Sequence, residues 1–248
     1  AGSGRFRYNS DEVTTNYAAP LGTGAYGIYR EAPTVDLATG NASITYGDTL
    51  PSLSGTVSGA VNGDVLGASV AVGGALSGSL NYTAGSHTLT PGSASALALG
   101  YVVGTVTAGS LSVAQKTLTS SLVGIDRNYD GSTSATVNAA PGGLTGGDSV
   151  VLAYTAANFA DKHVGTGKAI NVTGISLVGA DALNYTIAST GSASASIFAA
   201  PITLASSTVN KAYDGGVGAL GTATVSAGTL FGGDSLSGGT FAFTDKNV

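Results

Sequence analysis

Cysteine, methionine and tryptophan are absent from the 248 residues, and glutamate occurs only as Glu12 and Glu31. Without cysteine there is no disulfide scaffold, no thiolate zinc site and no cysteine nucleophile. The same absence suits a chain threaded unfolded through an export pore, where an early disulfide would jam it. Both glutamates fall in the leading stretch, so no pair of them is placed for glycosidase chemistry. Charge is scarce as well: charged residues make up 9% of the chain and the net charge is −5. The nine Lys and Arg include no adjacent pair, which excludes nucleic acid as a partner and disfavours an anionic membrane surface, since both need clustered cations. No apolar run approaches the roughly 20 residues that cross a bilayer. Ala1 begins neither a signal peptide nor a charged leader, so the chain reads as a piece of something longer.

What is present is glycine, 39 residues of it, with many Ser, Thr, Ala and Asn. Val, Thr, Ile and Tyr separated by Gly, Asn and Asp point to strands and turns, whereas the Leu, Glu, Lys and Arg of helix faces are thin. The expected fold is all-β.

An internal repeat organises the chain. Tyr129-Asp130-Gly131, Gly146-Gly147-Asp148 and Phe159-Ala160-Asp161-Lys162 return as Tyr213-Asp214-Gly215, Gly232-Gly233-Asp234 and Phe243-Thr244-Asp245-Lys246, with 84 positions from Tyr129 to Tyr213 and from Lys162 to Lys246. Tyr17, Tyr101 and Tyr185 keep the same spacing. Self-similarity at a fixed period means an array of like units rather than one large globule. Each of these tyrosines is followed 16 positions later by a seam, at Pro33, Thr117 and Pro201. The seams divide the chain into the closing part of a preceding module (1–32), two full modules (33–116 and 117–200) and the opening part of another (201–248). Small β-sandwich-like modules of about 84 residues in a linear array are expected, a β-grasp-like module being the alternative. The paired apolar positions between each Tyr and its seam predict a closing β-hairpin. Asn62-Gly63 is a second hairpin signal, because both residues tolerate positive φ. In the second module Val150, Leu152 and Tyr154 alternate, and so do Ile170 and Val172 before Gly174 shifts the phase, which reads as a bulge or tight bend. No sustained 3.6-residue stripe appears, so any helix is expected to be a single turn. The third module lacks its closing strands, which must come from beyond Val248 or from another chain.

Few residues offer chemistry. Gly22-Thr23-Gly24-Ala25-Tyr26-Gly27 has the spacing of a dinucleotide loop but no helix to follow it. Asp126, Asn128 and Asp130 imitate the opening of a calcium loop, yet the twelfth position is Val137 rather than a bidentate Glu; a turn entering a strand is the other reading. His87 and His163 lie in different modules, and a Lys-Asn crosslink around Asp161-Lys162 competes with an ordinary surface ion pair. No enzymatic activity and no cofactor are expected. The residues that define the repeat are Tyr46, Gly47 and Asp48, Tyr129, Asp130 and Gly131, Tyr213, Asp214 and Gly215, with Tyr17, Tyr101 and Tyr185. Their rings could be stacking platforms for sugars, but equal spacing in every module favours packing in the core with the hydroxyl at the rim.

These motifs resemble the YDG and MBG modules of large bacterial exoproteins similar to filamentous haemagglutinins, the two-partner-secretion adhesins. The residues that carry the likeness are Tyr129-Asp130-Gly131, the run Phe159 to Lys168, Val172-Thr173-Gly174-Ile175 and Ala180-Asp181-Ala182-Leu183-Asn184-Tyr185 for the YDG type, and Tyr46-Gly47-Asp48-Thr49-Leu50-Pro51 for the MBG type. The resemblance implies a protein on the bacterial cell surface or outside the cell, exported by an outer-membrane partner transporter and used in adhesion or biofilm matrix. It leaves three expectations: a stalk that carries an adhesive tip elsewhere, a self-assembling matrix filament joined to copies of itself, and a module that binds host or matrix glycans.

Overall fold

The structure is a computed structural model that describes residues 4–246. The fold is all-β, as the composition leads one to expect, with one short α-helix and one 3-10 turn among the described residues. Two compact units emerge. Of the described residues, one holds 4–119 together with Pro141–Leu152 and Leu177–Ile187; the other holds Ser120–Ala140, Ala153–Ser176 and 188–246.

In the first unit, strands Thr34–Thr39, Gly55–Ser58 and Val102–Thr107 form a three-stranded sheet, and Ala42–Thr45, Ser69–Val72, Gly85–Gly92 and Gly109–Ala114 form a four-stranded one. Strand Gly85–Gly92 lies over Thr34–Thr39 and closes a sandwich. Alternation along these strands turns Val35, Leu37, Leu89, Leu111 and Val113 inward, each less than 4% exposed. Two stretches pass from one sheet to the other: 34–45, bent at Gly40-Asn41, and 102–114, bent at Ala108. They run parallel on both sides of the bend, Val35 beside Val103 and Ile44 beside Val113. Where they cross, a Cβ on Gly109 would stand 2.1 Å from the Gly40 carbonyl oxygen, so only glycine fits. Asn41 Oδ1 accepts the Ser110 amide at 2.9 Å and holds the crossing.

The expected closing hairpin is therefore absent. Residues 102–107 and 109–114 belong to different sheets and pair with the opening strands, in parallel, instead of with each other. Alternation tells which face of a strand is buried and is silent on its partner. Asn62-Gly63 does adopt positive φ at both residues, 54° and 73°. Its turn joins no two-residue hairpin, however; the single bridge Gly55↔Ala68 closes a longer loop around it. Helix Ala94–Leu99 is capped by the Ser93 hydroxyl and ends on Gly100 at φ 93°, a little over the single turn expected. A helix that short cannot cover a four-stranded sheet, so the sandwich describes this unit better than the β-grasp alternative.

The second unit repeats the plan. Arg127–Asn128, Thr190–Phe198, Gly165–Thr173 and Ala156–Phe159 make a four-stranded sheet, with the Arg127–Asn128 pairing parallel as before. Phe159, Ile170, Val172 and Ile197 fill its core. Gly174 is the tight bend its phase shift predicts, at φ +66°, with Thr155 Oγ1 2.0 Å from where a Cβ would lie. In the third repeat, Thr203–Ser206 pairs with Ala223–Ala227, and Gly218 sits opposite Ala242 just as Ser134 bridges Asn158, both 84 positions on.

The core does not stop at a seam. Tyr46, Leu89, Leu111 and Val113 pack in one cluster with Leu118, Val150 and Tyr185, on the far side of Thr117.

Candidate functional site: tyrosine–aspartate joints

Tyrosine hydroxyls gather around an aspartate, and the arrangement recurs. Each aspartate ends a turn closed by its own amide on the carbonyl three residues back: Asp64 on Val61, Asp148 on Thr145, Asp234 on Phe231. The Gly-Gly or Asn-Gly pair in these turns is what lets the chain reverse and present the carboxylate.

At the best-formed joint, Asp148 Oδ2 accepts the Tyr46 hydroxyl at 2.6 Å and also the Tyr185 hydroxyl. Asp148 Oδ1 accepts the Ser79 amide at 3.2 Å. The Tyr46 hydroxyl also meets Ser77 Oγ at 2.6 Å and Ser79 Oγ at 3.1 Å, and the two rings meet edge-on at 5.2 Å. Asp181, 7% exposed, grips the same loop, accepting the Gly78 amide at 3.1 Å and the Ser149 amide at 2.8 Å. Asn184 Oδ1 accepts the Ala84 amide at 2.8 Å, and Leu183 O accepts Gln115 Nε2 at 2.9 Å. Strand Lys116–Thr117 adds a parallel pairing with Tyr185–Thr186.

The same design holds Asp64, whose Oδ2 accepts Tyr8 at 2.8 Å and Tyr101 at 2.9 Å, with those rings edge-on at 4.6 Å. At the third joint Asp234 Oδ1 accepts Tyr129 at 3.1 Å, Phe231 meets the Tyr129 ring edge-on at 5.8 Å, and Lys162 Nζ lies 3.8 Å from the carboxylate.

Burial raises the hydroxyl pKa of Tyr8, Tyr46, Tyr101 and Tyr185, so each stays a donor. Burial also pushes the Asp148 carboxyl up, but the hydrogen bonds from Tyr185, Tyr46 and Ser79 outweigh it and hold the group below its ordinary value. The joint is thus an ionised acceptor ringed by neutral donors. Its acceptor oxygens are engaged by groups of the fold itself.

The repeat-defining residues divide accordingly. Tyr46, Tyr101 and Tyr185 are core residues, each at most 3% exposed, with the hydroxyl engaged by an acid. Tyr129 reaches its joint half-buried. Tyr17 does not meet an acid; its ring lies 5.6 Å from the Arg7 guanidinium. Tyr213 is 75% exposed, so the core role expected of it is corrected. Gly47, Gly131 and Gly215 all take positive φ. Asp48 accepts the Thr45 amide at 3.0 Å and closes its own turn.

The calcium-loop residues are spent on turns and strands. Asp130 accepts the Ser132 amide and hydroxyl, both at 2.8 Å, and ion-pairs with Arg127; Asp214 pairs with Lys211 in the same i,i+3 way at 2.7 Å. Asp126 accepts the Ser196 amide at 2.6 Å and so ties its turn to strand Thr190–Phe198. Asn128 is a strand residue. Among the described residues no group of three or more His, Asp or Glu is placed to hold a metal. The glycine run 22–27 leads into strand Gly27–Ile28.

Sequence reasoning missed Asp148, Asp181, Asn184 and Ser79 as joint residues. The available signal was Gly-Gly-Asp returning at the period of the recurring tyrosines.

Comparison with known families fits this geometry. Residues 35–112 match the MBG domain of YGX type, and residues 114–193 match the YDG domain. The chain carries an MBG domain followed by a YDG domain. Tyr46 and the Ser77–Ser79 loop lie in the MBG domain, and Asp148, Asp181, Asn184 and Tyr185 in the YDG domain. The joint at Asp148 is therefore a contact between two successive domains. Both domain types occur in repeat and adhesin-like proteins, which fits a structural or binding module. No curated protein and no solved structure matches the chain.

Proposed function

We propose that this chain is a structural repeat region of a secreted bacterial surface adhesin or biofilm-matrix fibre, in which the MBG and YDG domains serve as stalk and cohesive element and catalyse nothing. Tyr46 of one domain held by Asp148 and Tyr185 of the next, with Tyr8–Asp64–Tyr101 and Tyr129–Asp234 repeating the contact, is the observation that carries this reading. A module that only displays a ligand site has no need to grip its neighbour at every repeat, whereas one that transmits length and load does. The glycan reading is less well supported, because Tyr46, Tyr101 and Tyr185, the rings a sugar would stack on, are buried in joints. Export by an outer-membrane partner transporter and a place on the cell surface belong to the same proposal.

Single-molecule stretching tests it. The MBG and YDG domains are expected to resist load together, and Asp148→Asn to lower the force at which they part. Shift changes at the joint tyrosines on titration with oligosaccharides, or an unfolding force unaltered by the substitution, would count against the stalk.

A further inference from the structure

The connection that carries Ser77–Ser79 in the MBG domain and the one that carries Lys162 in the YDG domain are the same element. Each links the edge strand of a four-stranded sheet to the strand beside it, Ser69–Val72 to Gly85–Gly92 in one case and Ala156–Phe159 to Gly165–Thr173 in the other. Each reaches the tyrosine of its own domain and the aspartate of the next repeat. What it brings there differs. In the MBG domain two serine hydroxyls meet Tyr46, and among the described residues Asp148 accepts from the Tyr46 and Tyr185 hydroxyls and the Ser79 amide; the nearby Lys116 Nζ donates to Thr145 Oγ1 at 3.4 Å and makes no ion pair with Asp148. In the YDG domain an ammonium stands 3.8 Å from Asp234 and 5.8 Å from the Tyr129 ring centroid. Lys162 and Asp234 are each about one-third exposed, at 35% and 32%, so dissolved ions reach the pair.

We propose that this connection sets the character of the joint that follows each domain. A serine pair makes the joint after the MBG domain neutral, and Lys162 makes the joint after the YDG domain ionic and responsive to salt. The partner such a loop fits is the Gly-Gly-Asp turn of the following repeat, so Ser77, Ser79 and Lys162 are its specificity-determining residues. The inference rests on reading the joints as stiffening contacts, but its test is read at single amides rather than as unfolding force, so either can fail alone.

Hydrogen exchange on the full chain, followed by mass spectrometry, compares the turn amides of Asp148 and Asp234. Raising sodium chloride from about 20 mM to about 1 M should speed exchange at Asp234 about two- to fivefold, the size of an exposed ion pair, and leave Asp148 unchanged. In Lys162→Gln protein the exchange at Asp234 should be fast at both salt levels. Equal responses at the two turns, no response at either, or a salt response that survives Lys162→Gln would overturn the proposal. The unsubstituted protein alone can refute it, whatever the variant does to folding.

Discussion

Asp148 is the residue on which the joint between the two domains converges, because one carboxylate accepts two phenolic hydroxyls and a backbone amide. Hydrogen bonds to an ionised acceptor are the strong kind, so Asp148→Asn is expected to cost about 2–3 kcal/mol in urea unfolding. Tyr46→Phe and Tyr185→Phe should each cost about 1–2 kcal/mol. The pairs should be non-additive, since removing the acid already strands both hydroxyls; a double-mutant cycle of Tyr46→Phe with Asp148→Asn that came out additive would show that the contact is geometric only.

The same groups fix the pH dependence. Asp148 has its pKa lowered in the fold, so its contribution is complete above the unfolded carboxyl value near 4 and is lost as pH falls through the lower folded value. The tyrosines have theirs raised, so their contribution is complete below about pH 10 and is lost as pH climbs from there toward their folded values. Stability measured against pH should therefore be flat between about 5 and 9 and decline on both sides. Asp148→Asn should remove part of the acid limb.

At the scale of elements, the crossing of two parallel stretches from sheet to sheet is the feature on which both joint and sandwich depend. Gly109→Ala should destabilise the protein by about 2–4 kcal/mol, because its methyl would meet the Gly40 carbonyl 2.1 Å away and backbone has little room to give. Thermal unfolding against an Ala108→Gly control would check it. How much of this was legible in the sequence follows from what sequence patterns record. The repeat, the β class and the bend at Gly174 were legible, because spacing and alternation register period and phase directly. The pairing was not: Val103 and Val113 show alternation whether they face each other in a hairpin or face Val35 and Ile44 in parallel. The joints were hidden for a similar reason. An aspartate after Gly-Gly reads as a turn residue, and only the fold brings Tyr46 to Asp148, 102 positions away.

For the molecule as a whole, what matters is whether the boundary at Thr117 divides the stability of the chain or only its sequence. Leu111 of the MBG domain and Val113 just after it share a cluster with Leu118, Val150 and Tyr185 beyond that boundary, and all five are buried. Apolar surface of this kind contributes about 1.5–3 kcal/mol for each large side chain covered, so the two sides should hold each other folded. Leu118→Ala, which opens a cavity at the boundary, should cost about 2–4 kcal/mol. The loss should appear in hydrogen exchange at amides of Gly85–Gly92 and of residues 109–112, which belong to the preceding domain, as much as in the pairing of Lys116–Thr117 with Tyr185–Thr186. Protection that fell only beyond Thr117 would mean that the domains touch without sharing a core. Protection that fell on both sides would mean that the cooperative unit straddles the boundary, and a repeat chain built that way yields to load in overlapping blocks instead of one domain at a time.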